Sequence, residues 1–455
     1  MLSETFAIYG DGLTPAQVKW LVDYQMVRGA NLFVFSSYRS LPAGKDMAGG
    51  GPHFGPSDPQ WDIMATYFRS VRRQCSLLSQ GEPCVPTAVL FDVRGIWAGG
   101  EETETVAQRH ECVAQHLLEE QRDFDFVDDD QLAAAEVRGD GTIAIGKMRY
   151  SAVVLPTSKR MRPEARAKLA SFAASGGRVM EEDDFSAAPK ICEVTGDGAV
   201  DIRAVKRSCG GQALYFLVNE SEYPRTVRIR LDEKSPLVRA DPETGRFVAL
   251  PSEDGAFVWN AEGCGSMIVV AGMDADDPAP PKWDGPAMTL DGGWTMAVRR
   301  RMQVGPAHYE TTDYPDAPHF AAVLGDWREI LGEEFSGRVA YRVRFEAQAG
   351  GEAELDLGEV HNCCEVRLNG RAIGAKYVGP YRWRIDLMNG TNELEVTVAN
   401  AIVNAVASPR VRRYIYSAFP PESVYERRVK DFNSSGHESG LYGPVTIRTK
   451  KAQPR

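Results

Sequence analysis

The hydrophobic period of this chain changes near Pro189, and the change limits it to two kinds of architecture laid end to end. Up to that point, apolar runs of strand length alternate with stretches whose apolar residues recur at helical spacing, the pattern of βα repeats on a parallel sheet. Val18, Leu21, Val22 and Met26 follow Thr14-Pro15, a capping threonine with proline in the first helical position. Trp61, Met64, Ala65, Phe68, Val71, Cys75 and Leu78 line one face of a second helix, opened by Asp58-Pro59. Further strands are expected at 88–91, 124–127, 152–155 and 178–180, with helices over 101–120 and 163–174. Past Pro189 the helical spacing disappears. Short strands at 213–218, 225–230, 247–250 and 266–270 take over, with a turn at Asp241-Pro242-Glu243-Thr244-Gly245 between two of them. Pro278, Pro280 and Pro281 then stiffen a linker over 274–284 into a last all-β region.

The first apolar strand, at 31–35, reads as a parallel strand buried on both faces. Such a strand needs neighbours, and only about thirty residues precede it, holding one helix and the stretch Met1 to Ala7. The chain therefore starts as if cut into an α/β barrel near its last repeat. Its first segment is expected to pair with the following sheet, to be held by another chain, or to be partly disordered.

At 455 residues the chain exceeds what one core serves, and about 150 residues per domain suggests roughly three. A formal charge of −11 disfavours nucleic acid and anionic membrane as partners, since both need a basic face. No apolar run approaches the ~20 residues that span a bilayer, and no basic region with an apolar core follows Met1. A cytoplasmic location is the expectation, although a lost N-terminal segment could have carried a signal. The eight cysteines are scattered without paired spacing, and they read as reduced core thiols rather than disulfides or metal ligands. Cys363 and Cys364 are neighbours on an expected strand and should point to opposite faces.

The last region carries Leu368-Asn369-Gly370-Arg371, a strong hairpin signal, between half-buried strands that include 354–360, 366–368 and 381–386. With Phe335 to Tyr341 before it and Asn392 to Val398 after it, this pattern resembles the sugar-binding jelly roll of family 2 glycoside hydrolases. At the other end, Leu2-Ser3-Glu4-Thr5-Phe6-Ala7-Ile8-Tyr9-Gly10, Leu13-Thr14, Lys19-Trp20-Leu21-Val22-Asp23, Arg28-Gly29-Ala30-Asn31 and Pro52-His53-Phe54-Gly55 resemble the end of the barrel in the α-L-rhamnosidases of glycoside hydrolase family 106. Glycosidases use two carboxylates across the scissile bond, and barrel enzymes carry them at the carboxyl ends of strands. The resemblance makes Glu4 one of them; the reading without it is a solvated Glu near a chain end. The second carboxylate would lie upstream of Met1. Where these relatives run from the strand into a His, this chain has Ser36-Ser37-Tyr38. His53 is a candidate sugar contact or a loop His tied to backbone, and Tyr38 and Trp61 are candidate stacking residues, with core packing the alternative for Trp61. Trp294, Trp327, Tyr381 and Trp383 could form a sugar platform in the last region, most of them as packing.

The segment Phe91 to Gly100 follows a strand and precedes a helix, but has neither G-x-G-x-x-G nor a Gly-Lys-Ser/Thr end. No nucleophilic G-x-C-x-G stands at such a turn either. This part resembles the non-catalytic, amidotransferase-like domain that follows the barrel in family 42 β-galactosidases. Asp128-Asp129-Asp130 reads as a capped helix start at Asp130 rather than a metal site.

The expected fold is multidomain, α/β plus all-β. It comprises a (β/α) barrel remnant over 1–75, a doubly wound, flavodoxin- or amidotransferase-like domain over 76–188, a small β-sandwich over 189–273 and a galactose-binding-like jelly roll over 284–450. The expected function is α-L-rhamnosidase-like hydrolysis of a terminal sugar if a complete barrel is supplied. The alternative is a non-catalytic carbohydrate-binding or assembly protein. The implied partners are carbohydrate and either a homo-oligomer or a complementing barrel-bearing chain. No cofactor is expected; calcium is implied by the resemblance alone, with no ligand cluster on which to place it.

Overall fold

The computed structural model describes residues 1–7, 9–36, 52, 54–56, 58–181, 185–304, 309–407 and 436–450. It is a mixed α/β molecule dominated by sheet. The first segment is β1 (Leu2–Thr5), α1 (Pro15–Met26), β2 (Leu32–Phe35) and α2 (Trp61–Leu78). β1 and β2 pair in parallel, with Leu2 opposite Leu32 and Glu4 opposite Val34. Thr14 starts α1 through a capping box: its hydroxyl accepts from the Gln17 N–H at 3.3 Å, and its own N–H donates to Gln17 Oε1 at 3.0 Å. One face of the strand pair, with Phe33 and Phe35, packs on α1 and α2 through Val18, Val22, Met26, Ile63 and Met64. The other face is open: Leu2, Leu32 and Val34 are 58%, 55% and 51% exposed. The expectation that β2 is buried on both faces is thus corrected. A strand pair with helices on one side only covers one side, and β1 and β2 pair with each other rather than with the next sheet.

Next come β3 (Glu82–Pro83), β4 (Thr87–Leu90), α3 (Val93–Trp97), α4 (Glu101–Glu119), β5 (Phe124–Val127) and α5 (Asp129–Ala134). The parallel sheet runs Arg178–Glu181, Ala152–Leu155, β4, β5, with a helix over Pro163–Ala174. In chain order its strands are first, second, third and fourth at positions three, four, two and one, so the winding reverses between β4 and Ala152–Leu155. The cap of α5 is Asp128, not Asp130. Asp128 is extended, its carboxylate accepts from the Gln131 N–H at 2.7 Å and its N–H donates to Gln131 Oε1 at 2.9 Å, while Asp130 is drawn into ion pairs with Arg94 and Arg162.

Beyond Pro189 a six-stranded sheet runs Phe247–Leu250, Leu237–Ala240, Ser266–Ala271, Gln212–Asn219, Ile202–Cys209, β3. One face meets a three-stranded sheet (Glu193–Thr195, Arg225–Arg230, Ala256–Ala261) over Tyr215, Leu217, Val227, Ile229, Phe257 and Val269. The other, with Leu214, Phe216, Val218, Val238, Ile268 and Val270, packs on α1 and α2. Burial on both faces is why the central strand is a continuous apolar run. Both margins of this sheet are met by connecting segments. β3 pairs with Arg207 and Ser208, and Asp277 bridges to Val248, with the Ala249 N–H donating to the Asp277 carbonyl at 2.9 Å.

The last region is a seven-stranded sheet built on Thr295–Val304, Ser336–Ala347, Gly390–Ala399, Cys363–Leu368 and Arg371–Lys376, facing a four-stranded sheet of Ala287–Thr289, Thr446–Thr449, Gly351–Asp356 and Arg382–Leu387. Trp294, Trp327, Phe335, Tyr341, Leu355 and Ile385 belong to its core. The hairpin stands where Asn369-Gly370 places it, and both turn residues have positive φ, 51° and 78°. Cys364 faces this core and Cys363 faces the α2 side, on opposite faces of their strand, and all eight cysteines are free. Among the described residues no helix is long and apolar enough to cross a membrane.

The first segment is wedged between the others. Lys19 donates to the Cys264 carbonyl at 2.8 Å and to Ser266 Oγ at 2.9 Å; Arg28 and Arg203 both pair with Glu220, at 2.5 and 3.0 Å. On the opposite side Arg338 donates to the Pro59 carbonyl at 2.6 Å and to Asp62 at 2.9 Å.

Candidate active face

Strand alternation puts Leu2 and Glu4 on one face of β1 and Ser3 and Thr5 on the other. The second pair ties the strand to its helix: both hydroxyls donate to Gln25 Oε1, the Thr5 contact at 3.2 Å, and Gln25 Nε2 donates to the Leu21 carbonyl at 3.1 Å. Glu4 therefore stands on the open face, in line with Leu2, Leu32 and Val34, one residue before the carboxyl end of its strand. The chain then turns sharply at Phe6, which has φ 75°, a conformation that costs a bulky residue about 1–3 kcal/mol. Burial of its ring against Phe35 and Phe54, at centroid distances of 5.4 and 5.6 Å, holds it there.

The loops after β1 and β2 carry two buried carboxyls, Asp11 and Asp58. Asp58 Oδ1 accepts from the Gln60 N–H at 2.7 Å. Burial pushes Asp58 up to about 7; the Asp11 carboxylate adds to the rise, while the Gln60 N–H and Arg338 oppose it. Sequence reading took Asp58 for a helix opener and passed over Asp11. One charge that acts on Asp58 is Arg338, far along the chain, and only the bare Gly10-Asp11-Gly12 turn could have drawn attention to Asp11.

Trp61 opens α2, and its ring packs edge-on against Phe68 at 6.4 Å, in the aromatic cluster behind β2 rather than on the Glu4 side. Tyr38 and His53 lie outside the described residues. The structure thus sets Glu4 and Trp61 on opposite sides of the strand pair. In the last region Trp294 and Trp327 are buried, and Tyr381 donates to the Asn362 carbonyl. The crevice where the parallel sheet reverses is filled by the chain itself: Asp92 accepts from the Gly95 N–H and from Thr157 Oγ1, both at 2.8 Å, and its N–H donates to His110 Nε2 at 2.9 Å. No cradle for a phosphate is left at Asp92. Among the described residues no group of three His, Cys, Asp or Glu side chains could hold a metal ion.

Residues 4–190 match the family described as alpha-L-rhamnosidase, glycoside hydrolase family 106, and the match begins at Glu4. Over those residues the chain is similar to that family. Over 97% of its length it superposes on a rhamnosidase from Novosphingobium sp. PP1Y with a TM-score of 0.72, at 20% identity and over 46% of that chain, a likeness of fold. It is also 37% identical over 87 residues to a Formosa agariphila protein whose name proposes it as a beta-glucuronidase, which is 17% of this chain and 8% of that one. A family 42 beta-galactosidase from G. stearothermophilus, at TM-score 0.40 and 12% identity, is too distant to carry an argument. The chain spans less than half the length of the Novosphingobium enzyme.

Proposed function

We propose that this chain is part of an α-L-rhamnosidase-like glycoside hydrolase in which Glu4 is one of the two catalytic carboxylates. The observation that carries the reading is the open face of β1 and β2, where a carboxylate near a strand end stands among exposed aliphatic side chains. Such a face is the inner wall of a barrel once further strands close on it, and closure would exclude water around Glu4. A facing carboxylate from those strands would complete an acid and base or nucleophile pair, about 5–5.5 Å away for retention or 6.5–9.5 Å for inversion. The strands would come from more polypeptide or from a complementing chain. Tyr38 and His53 are proposed sugar contacts. A cytoplasmic setting is retained as part of this reading, and calcium as a family-implied ion.

Turnover of an aryl α-L-rhamnoside and calorimetric sugar binding, measured on one preparation, test this. The chain alone should show no turnover above background, and a form carrying the closing strands should hydrolyse. Glu4→Gln should lower that rate by at least about 10³-fold, since the amide keeps the shape but neither exchanges a proton nor attacks. Turnover by the completed form that survives Glu4→Gln removes Glu4 from the mechanism.

A further inference from the structure

The loops that follow β1 and β2 bury two carboxyls, Asp11 and Asp58, the second of them where the start of α2 meets the last region. Arg338, on the strand Ser336–Ala347, holds this seam from one side by donating to the Pro59 carbonyl and to the Asp62 carboxylate. Arg300 stands 4.0 Å from the same carboxylate. Cys363 and Tyr377, from the same region, are buried within electrostatic reach of Asp58.

These neighbours offer an ionised Asp58 little. Burial lifts the Cys363 thiol and the Tyr377 phenol well above their ordinary ranges, so both are neutral at any working pH. The charges that remain are the Asp11 carboxylate, which repels a second negative charge, and Arg338, which is paired with Asp62 at 2.9 Å. Among the described residues Asp58 takes part in no ion pair, and its carboxyl accepts one hydrogen bond, from the Gln60 N–H at 2.7 Å. The seam is also short of donors, because Gln60 Oε1, two residues on and buried, has no partner. A carboxylate only accepts, whereas the acid form brings a donor of its own.

We propose that this seam is a proton-gated latch: with Asp58 in its acid form the start of α2 stays seated on the last region, and ionisation, which adds a second buried negative charge near Asp11, loosens it. The closed seam holds a proton that the open, hydrated seam releases, so opening is favoured as pH rises and levels off once Asp58 is ionised in both states. With a closed-state value of about 7, the response lies at and below neutrality. The latch sits beyond the carboxyl ends of β1 and β2, the end near which Glu4 stands, and so governs how that rim is seated. It is a property of the packing and does not rest on the proposed hydrolysis.

Hydrogen–deuterium exchange of the whole chain at pH 5.5 and pH 8, with rates corrected for the intrinsic pH dependence of amide exchange, tests it. The amides of Asp58, Gln60 and Trp61 are all hydrogen-bonded within this turn. Their corrected exchange should be at least about 10-fold faster at pH 8. It should also run to completion while the amides of the central strand Gly390–Ala399 remain protected, the mark of a local opening rather than of unfolding. Asp58→Asn should remove the difference between the two pH values, and Asp11→Asn, which takes away the like charge, should reduce it. The parent and Asp11→Asn decide the matter by themselves if the Asp58 variant folds poorly. Equal corrected rates at both pH values would overturn the proposal. So would exchange at the seam that occurs only together with the central strand, because no separate opening would then exist.

Discussion

Asp58 is a single carboxyl whose protonation belongs to the folded state. Its ordinary value is 3.8 and its folded value about 7, so the folded protein holds a proton there that the unfolded chain has released. The stabilisation is fully present below pH ~4 and is lost as pH rises through about 7. Asp58→Asn, which keeps an acceptor for the Gln60 N–H, should therefore flatten the change in urea stability between pH 5 and pH 8. At pH 8 it should be more stable than the parent by about 2–4 kcal/mol. A parent protein equally stable at both values, with the variant tracking it, would show that this carboxyl ionises freely. Phe6 offers a second residue test. Phe6→Ala loses the buried ring, about 3–5 kcal/mol, and keeps a Cβ at φ 75°; Phe6→Gly loses the ring but relaxes the backbone, and should be the milder change by about 1 kcal/mol. Urea titration of both reads the order directly. At this scale Glu4 was singled out by the resemblance of the Ser3-Glu4 segment, and strand alternation accounts for the side of β1 on which it stands. The burial of Asp11 and Asp58 was not legible, and part of the surroundings of Asp58 comes from Arg338 in another sheet.

Elements were the easiest scale to read, and their ends the hardest. The strand at 152–155 and the helix at 163–174 stand where the apolar spacing puts them, because Pro163 fixes a helix start. Three aspartates in a row are a different matter: each qualifies as a cap, and only the reciprocal bond from Gln131 selects Asp128. Asp128→Ala should accordingly cost about 1 kcal/mol in urea unfolding and Asp130→Ala distinctly less, since its ion pairs are exposed. The reverse ranking would return the cap to Asp130. Strand β2 shows the other limit of pattern reading: an apolar run announces burial without saying by what, and here half of that burial is not supplied by the described residues.

The largest scale is governed by the six-stranded sheet, whose two faces are covered by different parts of the chain. Removing residues 1–78 should uncover Leu214, Phe216, Val218, Val238, Ile268 and Val270 together, a patch that binds a hydrophobic dye and drives association. A monodisperse, dye-negative product would show that the sheet does not depend on α1 and α2. The change from helical to strand spacing past Pro189 was readable in the sequence; the wedge of the first segment was not, since it rests on ion pairs such as Arg28 with Glu220, 192 positions apart. The same sheet carries a less visible consequence at its margins. The short strand β3 and the bridge at Asp277 are connectors, yet each occupies a rim that would otherwise present a ladder of free amides to another molecule. Pro83 cannot extend such a ladder, and at the opposite margin the carboxylate of Asp277 is held by Arg246. The connectors therefore guard against fibril growth as well as joining regions. Swapping the 274–284 stretch for glycine and serine would be felt first as a shorter shelf life at high concentration, well before any loss of folding free energy could be measured.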